Sequence, residues 1–297
     1  MRRVIGTVGL VLLLVTPAAF AQVDELIERA DALYEEEAYE EAISELERGL
    51  RSLRSDRDRG EVLWRISRAT MQHGATIEFR TGNTDRAMEL YEEAERIGQE
   101  AIDADPGNHN GYFWKSAAIG RAAQVRGVLN SLFKAGEMRD LLHEAVRQRP
   151  DHVESFYVLS QMYRRLPGII SFGNVDFAVS LARKALDLQE AEMDSGEREE
   201  PNHDVYTQLA AALIARNWNE NRRNREQSGK ENRYRRERDV LEKNFRYEGT
   251  VDIPRMSDRQ EAERILDDVI RRLRRIRDRT RGQDEHLEEA LSFRDEL

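Results

Sequence analysis

Cysteine is absent from the chain, which removes disulfide frameworks, thiolate zinc sites, iron–sulfur clusters and cysteine nucleophiles together. Prolines number only six and aromatics make up 7% of the 297 residues, so there is little to break long helices. Catalytic motifs are missing too. The six histidines, at 73, 109, 143, 152, 203 and 286, show neither an HExxH motif nor an i, i+4 pair, and there is no glycine-rich phosphate loop or nucleophile elbow. What is present is charge, at 35% of residues, with 39% hydrophobic residues. That suffices for a core and points to an almost entirely helical protein.

The first 21 residues read as a signal peptide. Arg2 and Arg3 precede an apolar stretch, Val4 to Val15, broken only by Gly6, Thr7 and Gly9, and the small-residue site Ala19-Phe20-Ala21 follows Pro17. The apolar run is too short to span a bilayer. The mature chain is therefore expected to start at Gln22, to have no stable membrane anchor, and to reside in the periplasm, with secretion as the alternative. Losing Arg2 and Arg3 takes the net charge from −10 to −12, which speaks against nucleic-acid binding.

Internal repetition dominates the remainder. Leu26, Ala30 and Leu33 are answered by Ala42, Leu46 and Gly49; Phe156, Leu159, Ser160 and Tyr163 are answered by Ala178, Ala182 and Ala185. This is tetratricopeptide (TPR) spacing, in which small residues let two antiparallel helices approach while large ones fill the gaps toward the next pair. Two stretched units lie between. One runs from Trp64 and Met71 across a turn at Thr81-Gly82-Asn83-Thr84 to Ala87, Tyr91, Ala94 and Ala101; the other runs from Trp114 across an expected turn near Lys134-Ala135-Gly136 to Leu142 and Ala145. Tyr206, Leu209, Ala210 and Leu213 form a last first-helix pattern without a clean partner. Ser257 and Gln260 open a helix striped by Leu266, Val269, Leu273 and Ile276, expected to cap the array. The expected fold is all-α, a right-handed solenoid of antiparallel helix pairs with elongated helices and a C-terminal capping helix. Its parts are a signal peptide at 1–21, repeats at 22–190, a linker at 191–202, and a last repeat helix, charged helix and capping helices at 203–297.

Residues Ala101 to Leu188 carry a narrower pattern: Asp-Pro, Tyr112-Phe113-Trp114-Lys115-Ser116-Ala117, Pro150-Asp151-His152, and the insertion Leu166 to Asn174. This stretch resembles the T component of TRAP transporters, periplasmic helical-repeat proteins proposed to associate with a solute-binding protein and the transporter. It is also similar to the regulators of microtubule dynamics, which share the tryptophan-lysine helix. The T component is often a lipoprotein, whereas this chain has no cysteine to lipidate. The resemblance implies an auxiliary role in TRAP-type solute uptake.

In such a stack the first helices line a concave face. Counting from Trp114 gives Lys115, Ile119 and Ala122; counting from Phe156 gives Tyr157, Gln161 and Arg164. Lys115, Tyr157, Gln161 and Arg164 are the candidate binding residues, offering hydrogen bonds and positive charge to an acid or a peptide carboxylate; a solvated groove wall is the plain alternative. Ile169, Ile170 and Phe172 in the insertion are too apolar for water and are expected to fold back over a repeat or line a pocket mouth. Arg216 to Val240, with nine basic and five acidic residues, reads as a solvated helix. The functional expectation is a non-enzymatic binding or scaffold protein without cofactor or metal. Its partner is a protein such as a solute-binding protein, a small organic ligand, or a second copy of the chain. The alternative is a structural envelope scaffold with no small-molecule site.

Overall fold

The computed structural model describes residues 17–169 and 171–297, so the apolar signal segment, with its basic start, lies outside the described residues. Among the described residues there are helices and no strands, and no helix is long and apolar enough to cross a membrane. The elements are α1 (Pro17–Glu35), α2 (Tyr39–Leu50), α3 (Asp56–Thr81), α4 (Thr84–Ala104), α5 (His109–Arg126), α6 (Val128–Gln148), α7 (Val153–Arg165), α8 (Val175–Ser195), α9 (His203–Arg216), α10 (Glu220–Arg236), α11 (Val240–Asn244), a 3₁₀ turn (Tyr247–Thr250), α12 (Asp258–Arg275) and α13 (Arg281–Asp295).

Consecutive helices pack as hairpins, α1 on α2, α3 on α4, α5 on α6 and α7 on α8, and each hairpin packs on the next. The repeat positions explain this. Leu26, Ala30, Ala42 and Leu46 are buried, as are Phe156, Leu159, Tyr163, Ala178, Ala182 and Ala185. Gly49 marks a close crossing of the first pair, since a Cβ there would meet Leu26 Cδ2 at 2.1 Å. The turn between α3 and α4 falls where the sequence puts it: Gly82 is left-handed, and the Asn83 side chain accepts from the Arg86 N–H to cap α4. The turn between α5 and α6 does not. The chain breaks at Gly127, with φ of 89°, and Lys134-Ala135-Gly136 lies inside α6. An isolated glycine in helical conformation costs a helix only about 1 kcal/mol, so Gly136 was a weak stop signal.

Beyond α8 the order changes. The partner of α9 is α12, not its neighbour in sequence. Residues 217–257 leave the stack between these two helices and return, pinned at the base by Asp258 N–H donating to the Trp218 carbonyl and Trp218 N–H donating to Asp258 Oδ2, both at 2.8 Å. α12 begins with the expected capping box, Ser257 with Gln260, and buries Leu266, Val269 and Leu273. α13 folds back on α12 and α9.

The excursion corrects in part the reading of 216–240 as a solvated helix: α10 is mostly exposed, but one of its faces is buried. Arg216 closes α9, while Arg223 and Lys230, seven residues apart, share one face of α10; all three are buried. With Arg183 of α8 they meet Asp176, Glu248, Asp258 and Glu261. Arg183 binds Glu248 at 3.0 Å and Glu261 at 2.8 Å; Arg216 binds Asp258 at 2.8 Å and Asp176 at 3.0 Å; Lys230 binds Asp176 and Glu248 at 2.5 Å; Arg223 binds Glu261. Four cations against four carboxylates leave the cluster neutral, the condition under which buried charge is tolerated. Burial pushes the Glu248 carboxyl up, but Arg183, Arg216 and Lys230 more than reverse this and hold it well below the usual range. The seven-residue step from Arg223 to Lys230 was the available signal, and it needed acidic partners that are distant in sequence.

Candidate functional site

Tyr157, Gln161 and Arg164 are three or four residues apart on α7 and so share a face. They form a polar row against α9. Gln161 Nε2 donates to Tyr157 Oη at 2.7 Å, Tyr157 Oη donates to Asp204 Oδ2 at 3.3 Å, and Arg164 donates to Gln208 Oε1 at 3.2 and 3.3 Å. Gln208 in turn donates to Ser160 Oγ at 2.9 Å. Burial raises the Tyr157 phenol, and the negative charge of Asp204 and Glu289 raises it further. Arg164 is lowered by burial and by its neighbour Arg165.

The last helix reaches this row. His286 Nε2 lies 3.1 Å from Asp204 Oδ2, Arg165 lies 3.8 Å from Glu289, and the Arg164 guanidinium lies 5.3 Å from the centre of the Phe293 ring. The hydrogen bond to Asp204 raises His286 despite the opposing effect of burial. Burial, then Asp204, raises the Glu289 carboxyl.

Lys115 lies apart from this row. Its Nζ donates to Gln99 Oε1 at 2.7 Å and sits 3.4 Å from Glu137, bridging α4 and α6. Ile119 and Ala122, counted into the same concave face, are buried beside an open cavity of ≈ 610 Å³ shared with Phe133 and Lys134.

A groove of ≈ 940 Å³ lies between the C-terminal half of α3, Arg121 of α5 and the N-terminus of α13. Its wall includes Gln72, Thr76, Phe79 and Arg80 from α3, with Tyr39 at one side. Phe79, 58% exposed, is covered by the Arg281 guanidinium at 3.0 Å from the ring centre. Sequence reasoning missed this groove because its two sides are about two hundred residues apart and no local pattern joins them.

The insertion after α7 behaves otherwise than expected. Ile169 is 99% exposed and covers nothing; Ile170 lies outside the described residues. Phe172 does turn inward, with its ring 5.2 Å from Tyr163 and the Arg139 guanidinium 4.8 Å away. Pro167 and Gly168 start the loop, and the Asn174 N–H returns to the Tyr163 carbonyl at 2.8 Å. The short loop closes on itself, leaving its tip in solvent.

Among the described residues no group of three His, Asp or Glu side chains is placed to hold a metal ion. No curated protein matches the chain. Residues 26–163, from α1 through most of α7, match the model of the family described as regulator of microtubule dynamics protein 1-3, so over that stretch the chain is similar to this family.

Proposed function

We propose that this protein is a TPR-like scaffold, a right-handed solenoid of helix pairs that holds a partner protein in the groove walled by α3, α5 and α13. The observation that carries the reading is the groove itself. It is large, open and lined by side chains of mixed chemistry, including the exposed Phe79 and the Arg121 guanidinium. Exposed aromatic and arginine side chains are the residue types that anchor protein interfaces. The resemblance of residues 101–188 to TRAP T components and the signal-like start support a periplasmic location and an auxiliary role in solute uptake, with a solute-binding protein as the partner.

The test is recovery of partners from a periplasmic extract by the wild type, Thr76→Arg, which fills the groove, and Arg147→Ala on the exposed side of α6. The expected result is a solute-binding protein retained by the wild type and Arg147→Ala and lost with Thr76→Arg. Identical recovery by all three removes the groove from the account.

A further inference from the structure

α13 is fastened differently from every long helix around it. α12 buries seven residues, whereas α13 buries only Ala290; Leu287, Leu291 and Phe293 pack on the core but stay partly exposed. Most of its other contacts are ion pairs with solvent access: Glu289 to Arg165, His286 to Asp204, and Arg294 to Glu263 and Asp267. The pairs of Arg165 and Arg294 are the more exposed and add little stability, while that of His286 with Asp204 is half-buried. The seat itself is incompletely filled. Asp204 Oδ1 and His203 Nδ1 are buried beside α13 without a hydrogen-bond partner, so the resident helix leaves unmet an acceptor that a longer cation would reach.

We propose that the face of α7 and α9 presenting Tyr157, Arg164, Arg165 and Asp204 is a helix-docking surface, that α13 is its displaceable resident, and that the partner takes the same seat with an acidic amphipathic helix. This rests on the reading of the protein as a scaffold and adds to the groove a second contact surface and what fits it. The occupant's chemistry follows from α13, which carries five acidic and two basic residues over Arg281–Asp295. It sets Glu289 toward Arg165 and Phe293 toward Arg164. A lysine at the position of His286 would serve Asp204 better. Release of α13 would also open one wall of the groove, since Thr280, Arg281, Gly282 and Glu285 line it. One event therefore exposes the α7–α9 seat and reshapes the groove.

The test uses the full-length chain and a labelled synthetic peptide of residues 280–297, followed by fluorescence anisotropy. In the wild type the tethered α13 competes and the peptide binds weakly. Ala290→Glu, which loosens α13 in place, is expected to tighten peptide binding at least 10-fold; adding Arg164→Glu and Arg165→Glu removes the gain, and His286→Lys in the peptide increases it. Equal peptide affinity in the wild type and Ala290→Glu overturns the proposal. Hydrogen exchange on the unmodified protein gives an answer that does not depend on how a variant folds: α13 amides should exchange at least 10-fold faster than those of α12, and equal protection overturns the proposal. Neither measurement involves an outside partner, so a failed partner recovery with a positive peptide result faults the scaffold reading alone.

Discussion

Arg183 of α8 grips Glu261 of α12 through two parallel bonds, Nη1 to Oε1 at 3.0 Å and Nη2 to Oε2 at 2.8 Å, across 78 residues of sequence. This fork ties the repeat hairpins to the C-terminal helices, and both residues are buried. Arg183 therefore does not lie on an exposed outer face, as its place on a second helix of the repeat suggests.

Removing one member of such a cluster strands charge in the interior. Arg183→Ala is expected to destabilise the protein by about 3–5 kcal/mol, while Arg147→Ala, whose pair with Glu144 is exposed, changes stability by less than about 1 kcal/mol. Urea unfolding followed by circular dichroism compares them. Matching midpoints would mean that the cluster is not buried as described.

Ala182 of α8 belongs to the core that α7, α8 and α9 share and is 1% exposed. Ala182→Glu places a carboxylate there without a partner, and a loss of about 3 kcal/mol or more is expected. Thermal unfolding reads the loss; an unchanged midpoint would contradict the assigned repeat register.

Histidine protonation gives a pH signature. Burial lowers His109, His143 and His152 each to about 4, with nearby arginines adding to the effect. Their folded-state values lie below the ordinary value near 6.5, so the unfolded chain binds protons first as pH falls. Stability contributed above about 6.5 is lost between there and about 4. His286 acts in the opposite sense. Its value is raised by Asp204, so its contribution is present below the unfolded value and is lost as pH rises through the folded one. Between pH 7.5 and 6 the docking of α13 should therefore tighten. Hydrogen exchange of α13, corrected for the intrinsic pH dependence of exchange, measures it; unaltered protection would separate His286 from the latch.

Much of the fold was legible because repeat helices write their contacts locally. Phe156, Leu159 and Tyr163 announce one face, and Ala178, Ala182 and Ala185 announce the surface that receives it. The α9–α12 pairing was hidden because the 217–257 excursion separates its halves, and no pattern within Tyr206 to Leu213 names its partner. The polar row on α7 followed from spacing alone. That Asp204, Gln208 and α13 meet it required the chain path, as did the separation of Lys115, whose partners Gln99 and Glu137 lie on flanking helices.

The central claim is that the groove between α3, α5 and α13 holds a partner protein, and site-specific photocrosslinking in the living cell tests it most directly. A benzophenone side chain at Thr76, inside the groove, should give one discrete adduct with a second protein, while the same group at Arg147 gives none. Adducts at neither position, or the same adducts at both, would contradict the account.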